Sequence, residues 1–235
     1  PKKVVFAEAE NYKMLKAAEI VFNEKLAIPI LLGNEEYIKE LIEINDLELE
    51  GVEIIDPKSK SVKKMRHEFA DLYWKKRQRK GVTLTSALDV MLHRNFFSPM
   101  LIESGYADAM ISGITRHYPD TLRPAIEIVG KKEGAKVVSG MYIINTKEGP
   151  YFLADCTVNK NPTVEEMVEI TLQTAFAIKQ FKITPRIAFV SYSNFGSNDG
   201  TIPQKQREAV KILHRDYHDL IVDGEMQVNV ALNEE

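Results

Sequence analysis

The first 55 residues alternate between two kinds of apolar pattern, and that alternation narrows the choice of fold more than any other feature of the chain. Lys3 to Ala7 (KVVFA), Ile28 to Leu32 (IPILL) and Val52 to Ile55 are short, nearly continuous apolar runs and read as buried strands. After the first run, Asn11 can cap a segment where Met14, Leu15, Ala18, Val21 and Phe22 recur at helical spacing. After the second, Gly33-Asn34 gives way to a helix face marked by Tyr37, Ile38, Leu41 and Ile42. Strands joined through helices pair in parallel, with the helices covering the sheet. The expected fold class is therefore α/β with a mainly parallel sheet.

Lys60 to Gly105 reads as helices. Lys63 to Arg79 carries Met65, Phe69, Leu72 and Tyr73 on one face and ends in a basic cluster, Lys75, Lys76, Arg77, Arg79 and Lys80, before Gly81. Positive charge suits the negative end of a helix dipole, and a solvated face explains it as well. Thr85 is expected to cap the next helix. Ala107 to Ile111 is another short strand, broken by Ser112-Gly113, and Asp120 looks like a helix N-cap with Pro124 in the first turn. Strand, glycine loop and helix N-terminus gather unpaired N–H groups, so this stretch can hold an anion, with Arg116 and Arg123 adding charge. An ordinary strand-to-helix junction with solvated arginines accounts for the same residues. The character changes between Gly130 and Lys136, which predicts domains at 1–132 and 133–235.

In the second domain, Lys136 to Asn145 and Pro150 to Ala154 read as a hairpin turning at Thr146 to Gly149. Thr163 with Glu166 fits a capping box ahead of a long helix from Val164 to Ile178. Arg186 to Val190 and Leu220 to Asp223 are strands, with a helix beginning at Pro203 between them.

Several classes are excluded or disfavoured. A net charge of -3 lacks the basic excess of a nucleic-acid binder. No apolar run approaches the ~20 residues that span a bilayer, and the N-terminus does not read as a signal peptide. Cys156 is the single cysteine, so no intrachain disulfide forms, and a cytoplasmic location is expected. The G-x-G-x-x-G and G-x-x-x-x-G-K-[ST] phosphate loops are absent. His214 and His218 stand four apart without a third metal ligand and read as an exposed helix end. Cys156 reads as a buried small side chain, and Asp223 with Glu225 as strand-end solvation. Three loops, Ser112 to Arg123, Asp155 to Asn161 and Ser191 to Ser197, follow predicted strands, where open α/β sheets collect ligands. Their neutral donors and glycines suit phosphate or a phosphorylated acyl compound.

At these loops the chain resembles the phosphate acetyltransferase family, which interconverts acetyl-CoA and acetyl phosphate. The matching segments are SGITRHYPDTLRPAIEIVG (112–130), FLADCTVNKNPTVEEMVEIT (152–171), SYSNFGS (191–197) and DGEMQVNVAL (223–232). SNFGS and GEMQ look like one branch, the C-terminal region of bacterial NADP-dependent malic enzymes, which convert malate to pyruvate by oxidative decarboxylation. The resemblance implies two domains of isocitrate/isopropylmalate dehydrogenase-like architecture, acetyl-CoA or acetyl phosphate bound in a cleft, and a dimer or larger homo-oligomer. It implies that Arg77 and Arg123 meet CoA phosphates, and that Ser112, Thr121, Asn159 and Ser197 lie in cleft motifs. The residues themselves call for no cofactor; NADP and a divalent metal would belong to a malic enzyme's upstream domains. The transferases carry a catalytic Ser-Arg pair and an Asp beyond DGEMQ, so no catalytic residue is assigned. The stop at ALNEE reads as a cut through the fold. Three functions are expected in turn: an acetyl-CoA-sensing domain, an active transferase, and an oligomerisation module.

Overall fold

The structure is a computed structural model that describes residues 1–233; Glu234 and Glu235 of the ALNEE terminus lie outside the described residues. The chain packs as two units, 1–130 and 131–235.

In the first unit, β1 (Lys3–Phe6), β2 (Ile28–Leu32), β3 (Glu53–Ile55) and β4 (Ala109–Ile111) form a parallel sheet in the order β3-β2-β1-β4. Successive side chains of a strand point to opposite faces, and here both faces are covered. Val5, Ala7, Ile30 and Leu32 pack with Phe69, Phe97, Met100 and Leu101 on one side. Phe6 and Leu31 pack with Met14, Leu15, Ala18 and Ile38 on the other. Burial on both faces is why the strands read as unbroken apolar runs. Truncating Leu31 to alanine in such a setting removes about 2–5 kcal/mol.

The Val5 face is covered by α3 (Lys63–Arg77), α4 (Leu84–Val90) and α5 (Arg94–Glu103), and the Phe6 face by α1 (Tyr12–Asn23) and α2 (Glu35–Ile44). Asn11 caps α1 by accepting from the Lys13 N–H at 3.0 Å, and Asn34 caps α2 by accepting from Tyr37 at 2.8 Å. A 3-10 turn, Gln78–Lys80, continues α3 and stops at Gly81, whose φ of 88° a side chain would resist. Thr83, not Thr85, caps α4; its box partner is Ser86 rather than an acid.

The last helix of this unit, α6 (Tyr118–Ile128), begins earlier than Asp120 suggests. His117 occupies the N-cap position without a side-chain cap bond, and Asp120 sits in the first turn. Pro124 is therefore interior. It lacks an N–H for the Asp120 carbonyl, and the Asn95 side-chain amide donates to that carbonyl instead, at 3.0 Å.

In the second unit, β5 (Met141–Thr146) and β6 (Gly149–Ala154) pair antiparallel, so the hairpin turns on Lys147-Glu148. The Thr163–Glu166 box is present at the start of α7 (Val164–Gln180). β7 (Arg186–Val190) and β8 (Ile221–Met226) pair in parallel. α8 (Thr201–Asp216) starts two residues before Pro203, and a short α9 (Val228–Ala231) follows β8. Val168, Ala209, Val210, Leu213 and Val222 form the core between these elements. No helix among the described residues is long and apolar enough to cross a membrane.

Candidate functional site

Each of the three loops singled out in the sequence is built around a carboxylate of its own unit. Glu8, just past β1, is fully buried and receives the loop that follows β4. Ser112 Oγ donates to it at 3.0 Å, the Ile114 N–H at 3.1 Å and the Thr115 N–H at 2.5 Å; the Gly113 N–H and the Thr115 hydroxyl donate as well. Burial alone would raise the Glu8 pKa, but the Thr115, Gly113 and Ser112 donors outweigh it and hold the group at about 2. The N–H cluster expected to receive an external anion already holds an internal one.

The same arrangement recurs in the second unit. Asp155 accepts from the N–H groups of Thr157 at 2.9 Å, Val158 at 3.0 Å and Asn159 at 2.8 Å, which overcome burial and keep it below the usual carboxylate range. Glu225 is fully buried rather than solvated at a strand end. It accepts from Ser193 Oγ at 2.8 Å, the Gly196 N–H at 2.8 Å and Arg207 Nη1 at 2.9 Å. Burial would raise its pKa, and the Gly196 and Ser193 donors with the Arg207 charge lower it instead.

Within the first unit a cavity of about 580 Å³ opens beyond the carboxyl ends of the four parallel strands. Glu10 follows β1, Asn34 follows β2, Asp56 and Lys58 follow β3, and Arg116 and Arg123 follow β4. Arg94, the first residue of α5, completes the wall. Its Nη1 donates to Glu10 Oε2 at 3.1 Å, while Glu10 Oε1 accepts from the Asn34 N–H at 2.9 Å. Arg94 Nε is buried with no acceptor. A buried donor left unpaired loses about 1–3 kcal/mol.

The six residues expected to contact ligand are distributed unevenly. Arg123 lines the cavity. Its Nε donates to Glu127 Oε1 at 2.8 Å, and Arg77 Nη2 lies 3.2 Å from the same oxygen. Thr121 Oγ1 is buried without a hydrogen-bond partner. Ser112 faces Glu8. In the second unit, Asn159 Nδ2 donates to the Val138 carbonyl at 2.8 Å, and Ser197 Oγ accepts from the Asn194 N–H at 3.0 Å. Cys156 is exposed, contrary to its reading as a buried side chain, because the 155–161 loop turns its N–H groups rather than its thiol inward. His214 Nε2 rests 2.7 Å from the Val222 carbonyl. No group of three His, Cys, Asp or Glu suited to a metal occurs among the described residues.

Sequence reasoning missed Glu10, Asn34, Asp56, Lys58 and Arg94. The rule that ligands collect beyond strand ends, applied to the first three strands as well as the later ones, finds all but the last. Arg94 carries no local signal; tertiary packing brings it to the wall.

A parallel α/β unit with a cavity at the strand carboxyl ends, walled by Lys58, Arg94, Arg116 and Arg123 beside Glu10, Asp56 and Asp120, defines a class of small-molecule-binding proteins. The chain belongs, within that class, to the phosphate acetyl/butaryl transferase family, which matches residues 1–235. It is 36% identical over 242 residues to the phosphate acetyltransferase of Thermoanaerobacterium thermosaccharolyticum, covering 100% of this chain and 72% of that protein. It is also 36% identical over 237 residues to the NADP-dependent malic enzyme of Haemophilus influenzae, covering 99% of this chain and 31% of that protein. A crystal structure of a phosphotransacetylase from Streptococcus pyogenes superposes with a TM-score of 0.84 at 33% identity, covering 99% of this chain and 70% of the other. The chain thus spans about a third of the longer curated relatives it matches.

Proposed function

We propose that this chain binds acetyl-CoA as a regulatory ligand of a cytoplasmic NADP-dependent malic enzyme, holding the nucleotide phosphates in the first unit's cavity. The observation that carries this reading is Arg94, whose buried Nε lacks an acceptor in the wall of that cavity. The volume suits a ligand of nucleotide size, and acetyl phosphate alone would leave most of it empty. Arg116, Arg123 and Lys58 add the positive charge a polyphosphorylated ligand needs. Regulation of malate turnover then requires that acetyl-CoA bind two global states of a homo-oligomeric enzyme with different affinity.

The test is calorimetric titration of the full-length enzyme with acetyl-CoA, with malate-dependent NADP reduction followed in parallel. Binding with altered turnover supports the reading; absence of binding at millimolar acetyl-CoA overturns it. A second reading, an active phosphate acetyltransferase, is favoured by the match along the whole chain to the Thermoanaerobacterium enzyme. In that reaction the CoA thiolate attacks the acetyl carbon of acetyl phosphate and the bond to the phosphate oxygen breaks, releasing phosphate, with arginines stabilising the charge that develops. Formation of acetyl phosphate from acetyl-CoA and added phosphate would select it.

A further inference from the structure

Arg77 on α3 and Arg123 on α6 converge on one side chain to which neither the sequence nor the family match assigns a role. Glu127, one helical turn beyond Arg123, takes Arg123 Nε at 2.8 Å and Arg77 Nη2 at 3.2 Å on Oε1, and the Tyr73 hydroxyl at 2.9 Å on Oε2. Its side chain is only 11% exposed, whereas that of Arg123 is 77% exposed. An exposed Arg–Glu pair four residues apart on a helix fixes little by itself. This carboxylate, however, is anchored from α3 by Tyr73 and Arg77, so its position is set independently of Arg123. It grips Arg123, a residue of the cavity wall, by Nε, the guanidinium nitrogen nearest the chain.

We infer that Glu127, held from α3 by Tyr73 and Arg77, is a positioning residue that fixes Arg123 for the phosphate end of the cavity's ligand. This rests on the acetyl-CoA reading above. The carboxylate is ionised for the role: burial would raise its pKa, but Arg123, Tyr73 and Arg77 together hold it below the usual range. The same contact, with burial as the larger cause, pushes Tyr73 up to about 12.

The experiment is acetyl-CoA titration of the parent chain and of E127Q, each with and without R123A, with thermal midpoints measured alongside. Glu127→Gln keeps the size and removes the charge. It is expected to weaken acetyl-CoA binding about fivefold, and much less in the Arg123→Ala background, where there is no longer a side chain to position. Tyr73→Phe, which removes only one anchor, gives a smaller loss in the same direction and serves if E127Q does not fold. Unchanged or tighter binding by E127Q, or an equal effect in both backgrounds, overturns the role. Failure of the parent chain itself to bind acetyl-CoA overturns the ligand reading, and this role with it.

Discussion

The Thr115 N–H donates to Glu8 Oε2 at 2.5 Å across 107 positions of sequence, so the loop after β4 is pinned to the end of β1. Glu8 titrates at about 2 against an ordinary 4.5. Because its folded pKa is depressed, its contribution is complete above about pH 4.5 and is lost as pH falls towards 2. Linkage puts that contribution at up to about 3 kcal/mol. Urea midpoints measured from pH 7 to pH 2 are expected to fall steeply below pH 4.5 for the parent chain. Glu8→Gln is expected to start lower at pH 7 and show a flatter decline. Parallel curves for the two proteins would remove Glu8 from the account.

The Asn95–Asp120 bond replaces the helical bond that Pro124 cannot make. Asn95→Ala is expected to destabilise the first unit by about 1 kcal/mol, since the carbonyl then has only solvent. In a Pro124→Ala background the helix regains its own donor, and the same substitution is expected to have less effect. Chemical denaturation of the four proteins in this cycle measures the difference.

Arg94 supplies a planar guanidinium to the cavity wall, and its Nε is buried without a hydrogen-bond partner. Arg94→Ala is expected to weaken acetyl-CoA binding ~10-fold, most strongly at low salt. Lysine retains the charge but has no Nε donor, so Arg94→Lys is expected to recover little of that loss. Calorimetry at two ionic strengths reads both effects, and full recovery by lysine would show that charge alone matters there.

Glu225 is the acceptor for Arg207, Gly196 and Ser193 at the end of β8. Glu225→Ala removes the acceptor these three donors share and is expected to lower stability by about 3 kcal/mol. Arg207→Ala in the same chain should recover part of this, because the guanidinium that loses its buried partner and keeps only the Asn198 carbonyl and Asp199 goes with it. Thermal midpoints of the single and double variants separate the terms; simple additivity would mean that the pair is not coupled.

Periodicity made the two-faced parallel sheet legible, because KVVFA and IPILL must be covered on both sides to be so apolar. Asn11 and the Thr163–Glu166 box were legible because capping is local chemistry within three residues. The start of α6 was not: His117 makes no side-chain cap bond, while Asp120 has the residue type of a cap and sits inside the first turn. Thr83 was passed over for Thr85 because its box closes through Ser86, a short hydroxyl in place of the usual acid. Glu8 and Glu225 escaped for a different reason. Glu8 lies 104 to 107 positions from the donors it satisfies, and no window along the chain holds both partners. Arg94 and Glu127 escaped likewise, since Arg94 meets Glu10 after β1 and Glu127 meets Tyr73 and Arg77 of α3, each far off in sequence.

The three loops that end on Glu8, Asp155 and Glu225 are shaped before any ligand arrives. The N–H groups bonded to these carboxylates are held by the fold itself, so the entropy of ordering them is lost during folding and not again on binding. Recognition is thereby handed from the backbone to a few long side chains. A substitution among those arginines can retune what the protein holds while the frame around it keeps its form.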